Sequence, residues 1–418
     1  MPFTSLGLLY PLQCAVVEAG YKQPTAIQLA AIPAILRRRD VLAAAPTGTG
    51  KTAAFCLPLL QLMLDVAEQR PRRTAVLILV PTRELAGQIA ASLQCLARCL
   101  PRPPKVVALF GGVSINPQML SLRGGADFVV ATPGRLLDLL ERNALEINAV
   151  STLVLDEADR MLDQGFSAEI DRVLSLLPAQ RQTLLFSATL PPAVQLLSRT
   201  LLHDPVNIQI VPDAQARSGM IHQRAICVDE GRRTSLLRHL IQQESWSQVL
   251  VFVASKHSAE RVAEKLVRAG LDAAAFHGDL TQGRRNQLLQ AFKQHRLQVL
   301  VATDVAARGI DVVELPVVVN YDLPRSADDY IHRIGRTGRA SASGLAVSFI
   351  GADSARHFSL IERRHQLHLL RELVEGFEPT DVAVPLNLAD PDSNGGIKGR
   401  RPSKKDRLRA AGLLPSAS

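Results

Sequence analysis

The chain has 418 residues, 47% hydrophobic and 21% charged, the composition of an ordinary globular protein with room for two or three packed cores. No apolar run is long enough to span a bilayer, and Met1–Ser5 carries no basic stretch of the kind that opens a secretory leader, so membrane and secreted classes are set aside. The net charge of +9 admits a polyanionic partner without requiring one, while five scattered cysteines (Cys14, Cys56, Cys95, Cys99, Cys227) suit core thiols in a reducing cytoplasm better than a disulfide frame or a metal site.

Aromatic residues make up only 4%, so the cores must be aliphatic, as buried parallel strands usually are. In chain order, apolar or β-branched runs at Val41–Ala45, Ala75–Val80, Val106–Phe110, Phe128–Ala131, Thr152–Leu155 and Thr183–Phe186 read as strands. Helical patterns lie between them, such as Arg83–Leu100 with Leu85, Ile89, Leu93 and Leu96 on one face. The stretch 211–221 loses this rhythm around Pro212, Asp213, Ser218 and Gly219 and reads as a linker. Alternation restarts at Ala225–Val228, Val249–Val253, Ala273–Phe276, Val299–Ala302, Val317–Asn320 and Ala346–Ile350, and a last helix is expected over Ala355–Leu373. Strand–helix alternation predicts two α/β units, 1–210 and 222–376, each a mostly parallel sheet flanked by helices. Residues 377–418 are expected to have little order and end in a short basic tail, with seven basic residues between Lys398 and Arg409 against the single acid Asp406. That tail suits either a solvated end or a nonspecific phosphate contact.

Three elements carry chemistry. Ala45-Pro46-Thr47-Gly48-Thr49-Gly50-Lys51-Thr52 follows a strand and opens a helix, the setting of a phosphate-binding loop, although Ala45 stands where the general pattern has glycine. Its backbone N–H groups and helix N-terminus suit phosphate, Lys51 can reach the β- and γ-phosphates, and the Thr52 hydroxyl can ligate magnesium. Asp156 and Glu157 end a buried strand where a parallel sheet opens to ligand; Asp156 is a candidate Mg2+ ligand, directly or through water, and Glu157 a candidate for activating the attacking water. Far downstream, Arg336 and Arg339 sit three apart in a Gly-rich, carboxylate-poor stretch and could act as arginine fingers.

With these motifs in order, the sequence resembles the DEAD-box RNA helicases over roughly residues 3–377, and the short ends resemble those of a bacterial member. The resemblance implies two tandem RecA-like domains, ATP and Mg2+ as cofactors, and an RNA-stimulated ATPase that closes on RNA and locally opens short duplexes or remodels ribonucleoproteins in the cytoplasm. It implies an adenine pocket from Phe3, Tyr21, Thr25 and Gln28, with Gln28 reading the base edge and Phe3 packing on the ring. Ser187, Thr189 and His332 map onto motifs coupling hydrolysis to closure, and Asp311 onto a nucleotide contact. The implied track for single-stranded RNA or a short duplex runs through Pro81, Thr82, Arg83, Gly111, Gly112, Thr132, Pro133 and Arg135, then Ser255, Gln282, Arg285 and Thr303. Aromatic platforms are absent from it, so grip on phosphate, sugar and 2′-hydroxyls is expected rather than base reading. Ribosomal or RNA-decay proteins are possible further partners; a membrane is not. Two other readings stand beside this one: a DNA-directed helicase or translocase on the same paired domains, and a noncatalytic ATP-dependent RNA clamp.

Overall fold

The computed structural model describes residues 2–46, 48–65, 70–210, 221–307, 315–338 and 343–380. Its first half is a parallel sheet of β1 (Val41–Ala44), β2 (Val76–Leu79), β3 (Val106–Leu109), β4 (Phe128–Ala131), β5 (Thr152–Leu155), β6 (Gln182–Ser187) and β7 (Val206–Gln209), in the order β3-β4-β2-β5-β6-β1-β7. The second half repeats the plan with β8 (Ile221–Cys227), β9 (Val249–Val253), β10 (Ala273–Phe276), β11 (Val299–Thr303), β12 (Val317–Asn320), β13 (Gly344–Ile350) and β14 (Arg371–Glu372), in the order β10-β11-β9-β12-β13-β8-β14. Two tandem units of seven parallel strands each, flanked by helices, match the alternation, and they are the RecA-like pair that the resemblance implied.

Strand period explains why both faces of each sheet are covered. Val76 and Ile78 of β2 join one core cluster with Val41, Val154 and Phe186, while Leu77 and Leu79 join the other with Leu153, Leu155 and Leu185. Successive side chains of a strand point to opposite faces, so a continuous apolar run can bury both only beneath two layers of helices. The second sheet repeats the device, with Val249, Val251 and Val253 on one side and Leu250 and Phe252 on the other.

Short hydroxyl caps turn strands into helices at the sheet's carboxyl edge. Thr82 accepts the Leu85 N–H at 3.3 Å, Ser255 that of Ser258 at 3.1 Å, and Thr281 that of Arg284 at 3.3 Å. Each satisfies one of the N–H groups a helix start leaves unpaired, and so fixes where the turn faces.

Three expectations need correction. The last helix stops at His365 rather than Leu373, because Gln366 adopts φ +54°. Beyond it Leu367 and Leu369 alternate onto the Tyr330/Phe358 cluster, and the chain adds β14 beside β8, a period of two that the helical reading missed. The edge strand β7, half polar, had also escaped notice. Finally, Phe377–Thr380 is held in place: Arg232 lies over the Phe377 ring, and Asp229 accepts both the N–H and the hydroxyl of Thr380. Of the expected linker, 211–220 lies outside the described residues, as do Arg339, Asp311, Thr47 and the basic tail.

Candidate active site at the sheet ends

Neighbouring strands β1, β6 and β5 end together and bring the first two motifs into one place. The Ala45 N–H donates to the Ser187 carbonyl at 3.0 Å, fastening the loop after β1 to the end of β6. Gly50 opens helix Lys51–Leu64 at φ +88°, and a Cβ there would lie 2.5 Å from the Gln28 amide nitrogen. Only glycine meets both demands. Lys51 is buried, its ammonium donating to the Ala45 carbonyl at 3.0 Å, and Thr52 beside it is half-buried.

Gln28 proves to be a brace as well as a candidate base reader. It is 1% exposed, donates from Nε2 to the Gly50 carbonyl at 3.1 Å, and accepts the Thr25 N–H at 2.9 Å. One amide hydrogen and one lone pair remain for another partner. Phe3 is 6% exposed within the core and meets Tyr21 edge-on, whereas Tyr21, 37% exposed, is the more accessible ring.

The strand-end carboxylates are buried and crowded. Burial raises the Asp156 carboxyl to about 6; Lys51 opposes this and the neighbouring Glu157 adds to it. Glu157 has φ +54°, a conformation costing a non-glycine residue about 1–3 kcal/mol and found where surrounding structure enforces it. Its N–H donates to Asp156 Oδ1 at 2.9 Å, and its Oε2 accepts from Arg160 at 2.9 Å. Asp159 organises the coupling motif: its Oδ2 accepts the Thr189 N–H at 2.9 Å and hydroxyl at 2.8 Å, while its own N–H donates to Ser187 Oγ at 3.3 Å. Burial alone would raise the Asp159 carboxyl, but the two Thr189 bonds together with Lys51 and Arg160 hold it low.

The second unit supplies the facing wall. Helix Ala327–Ile334 carries His332 and Arg333, and Arg336 follows; Arg160, Phe252, Asp304, His332, Arg333 and Arg336 line a cavity of about 20 Å³ between the units. Arg333 is spoken for, bonded to both Asp304 carboxylate oxygens at 2.6 and 2.7 Å and to the Asp322 carbonyl at 2.6 Å. Burial, reinforced by Arg160, lowers His332 to about 4.

The polar track sits on the other half of each sheet. Pro81–Arg83, Gly111–Gly112 and Thr132–Arg135 follow β2, β3 and β4; Ser255 caps the helix after β9, Gln282 opens the helix after β10, and Thr303 ends β11. Arg83 reaches the Gly112 carbonyl at 3.4 Å, and Gly112 has φ +73°, where a side chain is strained; a Cβ there would lie 2.2 Å from the guanidinium and displace it. Ser255 is exposed, and Gln282 and Thr303 half-buried.

Two arginines of the track make protein contacts that the sequence did not signal. Arg285 is 3% exposed, donates to the carbonyls of His277 (3.2 Å) and Ala306 (3.3 Å), lies over Phe276, and meets Glu84 of the first unit at 2.7 Å. The Glu84 contact is off-line, an ion pair more than an aligned hydrogen bond. Arg285 is therefore a clasp between the units. Arg135 is likewise buried at 8% and donates to the Val113 carbonyl at 2.8 Å, bracing the loop after β3. Glu84, Arg160 and Asp159 were overlooked as site residues, although an acid inside a basic track and an arginine one turn past Glu157 were visible signals.

Comparison with known proteins identifies the family. The DEAD/DEAH box helicase profile matches residues 25–197, and the helicase conserved C-terminal domain profile matches residues 232–341. The ATP-dependent RNA helicase DbpA of Escherichia coli K12 is 44% identical over 368 residues, which cover 88% of this chain and 79% of that protein. The ATP-dependent RNA helicase DeaD of Buchnera aphidicola is 42% identical over 87% of this chain but only 59% of its own length, so the chain spans about six-tenths of that relative. Among solved structures, Saccharomyces cerevisiae Dbp5 bound to RNA and ADP BeF3 superposes with TM-score 0.78 at 31% identity, covering 89% of this chain and 95% of Dbp5. A DEAD box protein from Methanococcus jannaschii gives 0.53 at 36% identity, covering 89% of this chain and 99% of its own. The chain belongs to the DEAD-box helicase family.

Proposed function

We propose that the chain is an ATP-dependent RNA helicase of the cytoplasm, in which RNA-stimulated ATP hydrolysis drives closure of the two units and local opening of short duplexes or ribonucleoproteins. The observation that carries this proposal is the junction at which the Asp156–Arg160 turn of one unit meets His332 and Arg336 of the other. The better superposition on RNA- and ADP BeF3-bound Dbp5 than on a relative of higher identity supports reading the arrangement as the closed state. Ribosomal or RNA-decay partners fit the family but have no feature here to favour them.

Each residue then has a task. Backbone N–H groups of the loop at 45–50 and Lys51 bind the phosphates, and Tyr21, Phe3, Thr25 and Gln28 enclose the base. Thr52 and Asp156 would hold Mg2+: one carboxylate and one hydroxyl suit an ion that keeps its waters and phosphate oxygens, and a carboxyl raised by burial gains most from a nearby cation. That ion would neutralise charge on the phosphate oxygens. Glu157 orients and deprotonates the attacking water; Arg336, with Arg339 from outside the described residues, stabilises the charge that develops on the transferred phosphoryl group, and Asp311, also outside them, contacts the nucleotide. Ser187, Thr189 and Asp159 link this site to the track of Pro81, Thr82, Arg83, Gly111, Gly112, Thr132, Pro133, Ser255, Gln282 and Thr303, which holds the RNA backbone. RNA and ATP both favour closure, so each must tighten the other's binding by the same factor.

Steady-state ATP hydrolysis without nucleic acid, with total RNA and with matched single-stranded DNA tests the proposal. Strong stimulation by RNA alone is expected. Equal stimulation by DNA moves the assignment to a general translocase, and none by either moves it to a clamp. In Lys51→Ala, ATP affinity measured by titration should fall on the order of tenfold or more, since a charge-assisted phosphate contact is lost; undiminished affinity would remove the loop from the phosphates.

Closure should also depend on pH. In the open form an exposed His332 takes a proton near pH 6.5, whereas the closed form refuses it until about 4. Below 6.5 the open form therefore binds more protons, so closure is fully favoured above that pH and is lost as pH falls toward 4. The factor by which RNA tightens ATP binding should drop about tenfold between pH 7.5 and 5.5. Asp156 titrates in the same window, so His332→Gln is the control: if the variant keeps the full pH dependence, His332 is not its source.

A further inference from the structure

Arg160 touches both the carboxylate proposed to activate water and the opposite unit. Its guanidinium donates to Glu157 Oε2 at 2.9 Å, and the two side chains are 6% and 10% exposed. A pair three residues apart on a helix surface would be solvated and worth little, whereas this one is sealed from water. The second unit stands against it: Arg160 lines the small cavity together with His332, Asp329 and Arg336. From the first unit, Asp159 lies on its other side and holds the Arg160 N–H at 3.0 Å. The left-handed backbone of Glu157 fixes where its side chain starts, and Arg160 engages one of its two carboxylate oxygens, Oε2.

We propose that Arg160 is a positioning residue through which docking of the second unit orients Glu157, so that hydrolysis is fast only when the units are closed. The inference rests on the assignment of Glu157 as the water-activating group. With the units apart, the Arg160 guanidinium would be solvated and the carboxylate free to rotate; docking of His332 and Arg336 confines both. Misplacing a reacting group by about 1 Å costs on the order of a hundredfold in rate, so a positioning residue acts on kcat while leaving ground-state binding nearly alone.

The experiment measures kcat and KM for ATP at saturating RNA in full-length Arg160→Gln, Arg160→Lys, Glu157→Gln and His332→Ala, and in the Arg160→Gln/His332→Ala double variant. Arg160→Gln should lower kcat at least about tenfold with KM for ATP within about threefold, and Arg160→Lys should recover most of the loss because it restores a cation beside Glu157. A general structural defect would instead move both parameters and resist rescue by lysine, and that result overturns the proposal. In the His332→Ala background the Arg160→Gln effect should shrink, because the two act in one chain; fully additive losses overturn the link to docking. Glu157→Gln separates the two levels. If it hydrolyses ATP normally, the assignment of Glu157 fails; if it is inactive while Arg160→Gln keeps wild-type kcat, only the role of Arg160 fails.

Discussion

Glutamine in place of Glu157 should leave ATP and RNA binding intact while reducing RNA-stimulated hydrolysis by about two to four orders of magnitude, the usual contribution of a positioned general base. The substitution is nearly isosteric, so the strained turn at φ +54° and the Asp156 contact to the residue-157 N–H survive it. What disappears is the ability to accept a proton. Because closure does not require hydrolysis, the variant should accumulate as a closed complex and hold RNA longer than wild type in the presence of ATP. Single-turnover hydrolysis together with RNA dissociation kinetics checks both halves. Hydrolysis within a few-fold of wild type would remove Glu157 from the chemistry and leave Asp156 as the only candidate base on that strand end.

The second large effect concerns the clasp on the far side of the interface. Glu84→Gln should weaken the mutual tightening of ATP and RNA by roughly a hundredfold, with the affinity of the open protein for ATP alone little changed. Arg285 stays charged at any relevant pH and is held to its own unit by the His277 and Ala306 carbonyls and the Phe276 ring. Docking against a neutral amide would therefore bury its charge with no counter-charge. Removing one partner of a buried pair costs on the order of 3 kcal/mol, and that cost falls on the closed state alone. The measurement is RNA affinity with and without a nonhydrolysable ATP analogue; a coupling factor unchanged within about twofold would show the contact to be incidental. Arg285→Met is the informative companion, because an apolar replacement leaves Glu84 unpaired instead and should produce a loss of similar size.

The division of labour across each sheet follows from strand order. In β3-β4-β2-β5-β6-β1-β7 the nucleotide elements end β1, β6 and β5, while the polar track follows β2, β4 and β3. Strand β5, which ends at the Asp156–Glu157 turn, borders both halves. A change at the phosphates can thus reach the track through one strand end and its neighbours, Asp159 with Ser187 and Thr189.

Much of this was legible in the chain itself. Strand runs such as Val249–Val253 and the glycines of the phosphate loop signal their own conformations, because apolar period and positive φ are local properties. Where a second rule competes, the local reading failed: Leu367 and Leu369 are compatible with a helix until the turn at Gln366 and the open edge of β8 recruit the chain as a strand. The arginines were the least legible. Arg83, Arg135, Arg160, Arg285, Arg333 and Arg336 look alike in sequence, but folding brings Asp304 to Arg333 and Glu84 to Arg285 and sets Arg160 against His332.

By itself, then, the sequence determined the two α/β units, the loop proposed to take phosphate, the strand-end carboxylates and the motif order that marks the family, since each depends on residues close together in the chain. Tertiary structure alone decided which distant charges face one another, that Gln28 braces Gly50, that Arg285 meets Glu84 of the other unit, and that Arg160 stands between Glu157 and His332. The reason is physical: backbone conformation answers to neighbours within a turn or two, whereas a charge's task is set by burial and by the opposite charge it meets, and both come from chain segments far apart in sequence.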